Sequence, residues 1–221
     1  MDRKRTAVLI SGRGSNMTAL IEAARKADYP AQISLVVSNR PDAVGLQRAT
    51  DAGIATAVVD HTVYGKDREG FERALQDVLL QHRIELVCLA GFMRLLTAWF
   101  VAQWPNRMLN IHPALLPAFK GLDTQRRAIE AGVVEHGATV HFVVPEMDSG
   151  PIIAQGAVPV LPDDTEAALA ARVLGVEHRI YPLALKLVAS DRVRLIDGHC
   201  AIVGTIDADD MSFLPRSRSA H

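Results

Sequence analysis

Six short apolar runs constrain what this chain can fold into more than any other feature. They cover residues 6–10, 33–37, 55–59, 86–90, 108–111 and 138–144. Each is short for a helix and rich in Val, Ile, Leu and Ala, the texture of strands buried on both faces. Between the first five, apolar residues fall at helical spacing, as in Met17, Leu20, Ala24 and Phe71, Leu75, Val78. Strand–helix alternation of this kind predicts an α/β fold, a mostly parallel sheet with helices on both faces. Right-handed crossovers then carry the loops after the strands to one edge.

The pattern changes after residue 137. Thr139, His141 and Val143 alternate with Val140, Phe142 and Val144, and residues 151–161 form another extended run. A hairpin or reversed strand is expected there. A long helix is expected from near Asp163, with Glu166 three residues on as in a capping box, to Pro182 or a little past it. Residues 1–206 read as a single domain and the polar residues 207–221 as a poorly ordered tail.

The formal net charge of −1 offers no general attraction to nucleic acid or an anionic membrane. Cys88 and Cys200 lie too far apart for a ligand or redox motif. The first apolar run is too short for a secretory signal, and no run approaches the ~18 apolar residues of a membrane span. A cytoplasmic location is expected.

Chemistry concentrates in the loops after residues 10, 90 and 111. Asn110 and His112 stand two apart at a strand end, so both side chains project to one side, and Pro113 keeps His112 extended. Asp148 comes from a separate loop, Asp148-Ser149-Gly150-Pro151. An amide donor, an imidazole and a carboxylate suit acyl transfer, which needs an oxyanion stabilised and a proton moved. After the first strand, Ser11-Gly12-Arg13-Gly14-Ser15-Asn16 opens a helix. Met17 occupies the place of the third glycine of a dinucleotide fingerprint, and no Gly-Lys-Ser/Thr follows as in a P-loop. Two glycines before a helix start suit a single phosphate; a capped turn without ligand is the alternative. The apolar loop 91–96 could line a flat aromatic pocket but by itself reads as packing beneath the next helix, and Arg68 and Arg94 could hold carboxylates, although most arginines are solvated surface residues. Glu177 falls on the apolar face of the long helix, where a charge needs a partner, either a substrate or a structural group.

Taken together, Gly12-Arg13-Gly14-Ser15-Asn16, Gly91-Phe92-Met93-Arg94, Asn110-Ile111-His112-Pro113, Asp148-Ser149-Gly150 and Glu177-His178-Arg179-Ile180-Tyr181-Pro182 make the chain resemble the folate-dependent formyltransferases. The Gly-Ser-Asn loop narrows the resemblance to those acting on glycinamide ribonucleotide. It covers nearly the whole chain and implies a Rossmann-like sheet of formyltransferase type. It implies that Gly14, Ser15 and Asn16 bind the substrate's phosphate, with Glu177 near its ribose or glycinamide. The co-substrate would be 10-formyltetrahydrofolate, its pterin enclosed by Met93, Arg94, Leu95, Leu96 and Asn110 and by Val144, Pro145, Glu146, Met147 and Asp148. Arg68 and Arg94 would serve its benzoyl-glutamate end. Asn110, His112 and Asp148 would be catalytic, with His112 held as imidazolium by Asp148, and no metal would be needed. Partners would be small molecules only, neither nucleic acid nor membrane, with a homodimer left open. Two positions depart from the pattern: Ala114 where relatives usually carry Ser, and Leu174 where some carry Gln. With no activated Ser, Cys or Lys nucleophile, transfer is expected to be direct. A methionyl-tRNA formyltransferase would bring a tRNA-binding domain, and a formyltetrahydrofolate hydrolase a regulatory one. An NADP enzyme with Arg40 at the 2′-phosphate would need the missing fingerprint.

Overall fold

The computed structural model describes residues 3–214. Seven strands belong to one mostly parallel sheet, the α/β class the alternation predicts. The chain divides into two compact units, one reaching Asn110 and including Val143–Pro145, the other comprising Ile111–Phe142 and the residues from Glu146 onward.

In the first unit, β1 (Lys4–Ile10), β2 (Ala31–Ser38), β3 (Thr56–Val58), β4 (Leu86–Leu89) and β5 (Met108–His112) lie in the order β3-β2-β1-β4-β5. All the pairings are parallel. Ala7, Val8, Leu9 and Ile10 are each wholly inaccessible, so both sheet faces are covered at β1. On one face Ala7, Leu9, Leu35, Val37 and Val87 pack with Phe71, Leu75 and Leu79 of α3 (Arg68–Gln81) and Phe100 of α4 (Ala98–Gln103). Ile10 points the other way, toward α2 (Val44–Asp51), which packs with α1 (Ser15–Ala24). The register sets Ile10 level with Ser38, Ser38 with Val58 and Leu89 with Asn110. The loops that follow therefore open at one edge, as the crossover rule requires.

In the second unit, α5 (Thr124–Glu130) precedes β6 (Glu135–Phe142), which runs antiparallel to β7 (Ile152–Pro159), the expected reversed strand. Both pack against α6 (Glu166–Ala189). Here the structure departs from the sequence reading. Thr165, not Asp163, caps the helix, its side chain accepting from the Ala168 amide, and the helix continues through Pro182 to Ala189. Burial of Leu183, Ala184, Leu185 and Leu187 along the last two turns accounts for this, since packing of that face outweighs the hydrogen bond a proline removes. Asp164 instead accepts from the Leu161 amide at 2.8 Å and pairs with Arg172 through contacts of 2.7 and 2.8 Å. A hairpin, β8 (Val193–Ile196) and β9 (His199–Ile202), turns at Asp197-Gly198, both with positive φ. In the tail, α7 (Ala208–Met211) is followed by Phe213, whose carbonyl accepts from the Gln155 amide at 2.8 Å. Residues 215–221 of the expected tail lie outside the described residues. Among the described residues, no helix is long and apolar enough to cross a membrane.

Candidate active site

His112 ends β5 with its ring almost fully buried and both ring nitrogens facing oxygen. Nε2 lies 2.9 Å from the Phe119 carbonyl, and Nδ1 lies 3.4 Å from Asp148 Oδ2. A carbonyl and a carboxylate only accept, so a ring that satisfies both must donate from both nitrogens. The sequence pairing of His112 with Asp148 is thus brought together in space.

Asp148 is positioned by its own loop. Its φ is +49°, and its Oδ2 also accepts from the Gly121 amide at 3.0 Å. A Cβ on Gly150 would stand 1.7 Å from the Phe142 carbonyl oxygen, so the loop closes only around a glycine. Oδ1 faces His141 Nε2 at 3.8 Å, on the alternating strand β6. Burial holds the His141 imidazole below its usual range, against the Phe142 carbonyl and the Asp148 carboxylate, which favours a neutral His141. Asn110 stands two residues before His112 on the same strand, half-buried.

The glycine loop has the features of an anion site. Gly14 takes a left-handed conformation, φ +72°, directly before α1, and no side chain caps that helix. The first-turn N–H groups and the helix dipole are left for a ligand. Gly45 packs against the loop so closely that a Cβ there would lie 3.0 Å from the Gly12 carbonyl oxygen, and its own amide donates to that oxygen at 2.9 Å. Gly14, Ser15 and Asn16 line a cavity of about 430 Å³ together with Arg13, Asn39, Arg40, His61, Met93 and Arg94. No acidic residue lines it. Of these, Asn39 and His61 went unnoticed in the sequence, where neither sits in a motif.

The loop after β4 is held at three points. The Met93 amide donates to Ser11 Oγ at 2.7 Å, Arg68 donates to the Leu95 carbonyl at 2.5 Å, and the buried Glu72 accepts from the Thr97 amide at 2.7 Å and from its hydroxyl. Leu96 packs on the core beneath. Met93 and Leu95 are left 68% and 65% exposed, an apolar surface fixed in place by these hydrogen bonds. Val144 and Pro145 belong to the first unit, Glu146, Met147 and Asp148 to the second. Glu177 is buried on α6. Ala114 is fully buried, its carbonyl accepting from Thr139 Oγ1 at 2.7 Å, and Leu174 is half-buried on α6. Among the described residues, no cluster of His, Cys, Asp or Glu is placed to hold a metal ion.

An imidazole and a carboxylate facing each other at a strand end are groups that the transfer of small acyl groups can use. The formyl transferase family model matches residues 4–185, and the chain belongs to that family of enzymes. It is 44% identical over 194 residues to the phosphoribosylglycinamide formyltransferase of Haemophilus influenzae, covering 88% of this chain and 91% of that one. It is 51% identical over 193 residues, 87% of this chain, to the human trifunctional purine biosynthetic protein adenosine-3, of whose length it spans 19%. The structure of glycinamide ribonucleotide transformylase 1 from Symbiobacterium toebii matches with a TM-score of 0.88 at 45% identity, covering 91% of this chain and 95% of that one.

Proposed function

We propose that this enzyme transfers a formyl group from 10-formyltetrahydrofolate to the amine of glycinamide ribonucleotide, a step of purine synthesis. The observation that carries the reading is the His112–Asp148 pair, with both imidazole nitrogens on acceptors. Gly14, Ser15 and Asn16 take the phosphate, and Glu177 lies near the ribose or glycinamide. The exposed Met93 and Leu95 supply the apolar surface a pterin needs, with Arg94, Leu96, Asn110 and residues 144–148 completing the enclosure. Arg68 and Arg94 serve the folate's carboxylates. The partners are these small molecules, and the cytoplasm is the expected compartment. A homodimer is compatible with the reading and is not required by it.

In the reaction the glycinamide amine attacks the formyl carbon, and the carbonyl electron pair moves onto oxygen. Asn110 donates to that oxygen, and so does His112 once the oxygen replaces the Phe119 carbonyl at Nε2. One such donor contributes about 2.7–4 kcal/mol to the transition state. Asp148 keeps the imidazole charged while it does so. The nitrogen proton then passes, with Asp148 assisting, to the leaving N10, and the C–N10 bond breaks as the oxyanion collapses. No side chain carries the formyl group.

Deformylation of a chromogenic formyl-folate analogue tests the reading. It should require glycinamide ribonucleotide, and mass spectrometry of the enzyme caught in turnover should show no added formyl mass. Release of the chromophore without the ribonucleotide would instead mark a hydrolase, and a formylated protein would overturn direct transfer.

A further inference from the structure

The cavity beside Gly14 has a second wall. Because β1, β2 and β3 end level, Ser11, Asn39 and His61 meet at the edge, and their hydrogen bonds fix where each proton lies. Asn39 Oδ1 only accepts, so Ser11 Oγ donates to it at 2.6 Å and is free to accept the Met93 amide. The Asn39 main-chain oxygen, 2.8 Å from His61 Nδ1, likewise only accepts, so Nδ1 carries the hydrogen. The 3.1 Å approach of Asn39 Nδ2 to the same nitrogen is then a contact and not a hydrogen bond. Nε2 is left, on a residue that lines the cavity. In a neutral ring this nitrogen bears a lone pair and would repel a phosphoryl oxygen; in an imidazolium it donates.

We propose that His61 is a further ligand of the substrate's phosphate and takes up a proton when the dianion binds, with Ser11 and Asn39 positioning it. This rests on the phosphate reading of the cavity. The charged groups around the ring come from every neighbouring loop. Asp60 Oδ1 stands 3.9 Å from Nδ1, with that oxygen engaged by the Thr62 amide and hydroxyl. Arg40 is neutralised by Asp42 at 2.8 Å. Arg13 and Arg94 line the cavity, have no partner among the described residues and make it cationic.

The test is calorimetry of glycinamide ribonucleotide binding to the full-length protein in buffers of different ionisation enthalpy, with His61→Gln and His61→Ala beside the wild type. Wild-type binding should take up more protons than either variant does. His61→Ala should raise KM for the ribonucleotide about tenfold, the loss of one charge-assisted hydrogen bond, with the effect on KM and not on kcat. His61→Gln, which keeps an N–H near the position of Nε2, should recover part of the KM loss without the proton uptake. Equal proton uptake in wild type and His61→Gln would overturn the proposal, as would a fall confined to kcat. The dephosphorylated riboside separates the two readings. If the wild type uses it as well as the ribonucleotide, the phosphate site itself is wrong; if the wild type discriminates and His61→Ala discriminates equally, only His61 is.

Discussion

Asp148 gathers the Gly121 amide and two imidazoles around two oxygens, and its charge is what the arrangement turns on. Asp148→Asn keeps the shape and an acceptor for Gly121 but removes the anion beside His112. Turnover should fall about 10²- to 10⁴-fold, the range for losing a proton-handling group, while KM for the ribonucleotide stays within about threefold. Steady-state kinetics checks this, and near-wild-type turnover would sink the assignment. At this scale the sequence was informative where motifs are contiguous. Asn110 and His112 share a strand, and strand geometry alone fixes their common side. The acceptor on Nε2 was not legible, because the Phe119 carbonyl belongs to a backbone whose course no side-chain pattern encodes. His61 was hidden for another reason: the run 55–59 marks its strand, but the loop after it carries no motif around His61.

At the scale of elements, α6 shows how local signals and packing divide the work. Its start is encoded twice, by the Thr165 cap and by the Asp164–Arg172 pair, whose guanidinium hydrogen bonds, with the Leu161 amide, hold the Asp164 carboxyl at about 2. A depressed carboxyl contributes stability above its unfolded value of about 3.9 and loses it as pH falls toward its folded one. Asp164→Asn should therefore unfold at lower temperature than wild type at neutral pH, with the gap closing as pH drops from about 4 toward 2. Calorimetric scans of both proteins measure it; a gap that persists in acid points to shape and not charge. The far end of α6 misled the sequence reading because Pro182 is a strong local breaker overruled by a buried face. Asp197-Gly198 erred the other way: it is a strong hairpin signal flanked by strands of four residues, too short to stand out.

Over the whole molecule, buried histidines set the acid limit. Burial lowers the imidazoles of His136, His141 and His178 alike. The folded chain holds them neutral where the unfolded chain takes up protons below about 6.5, so stability is complete above that value and declines as pH falls through it. The denaturant midpoint should drop between about pH 7 and 5, where carboxylates remain ionised, and His136→Gln should flatten that slope. A slope unchanged in the variant would remove His136 from the account. The alternation of apolar runs made the parallel sheet predictable, since burial on both faces leaves a sequence no other way to satisfy its strands. No linker in the sequence announces the two compact units.

The glycine at 150 carries a last consequence for anyone surveying variants of this enzyme. With a carbonyl oxygen 1.7 Å from where a Cβ would go, a selection for soluble protein alone would return glycine there, whatever is asked of the chemistry. Two positions earlier, the same selection should accept Asn at 148. Both sites would look immovable in a screen for growth without purines. Scored instead by abundance, they should part company, position 150 failing to accumulate and position 148 accumulating as an inert protein.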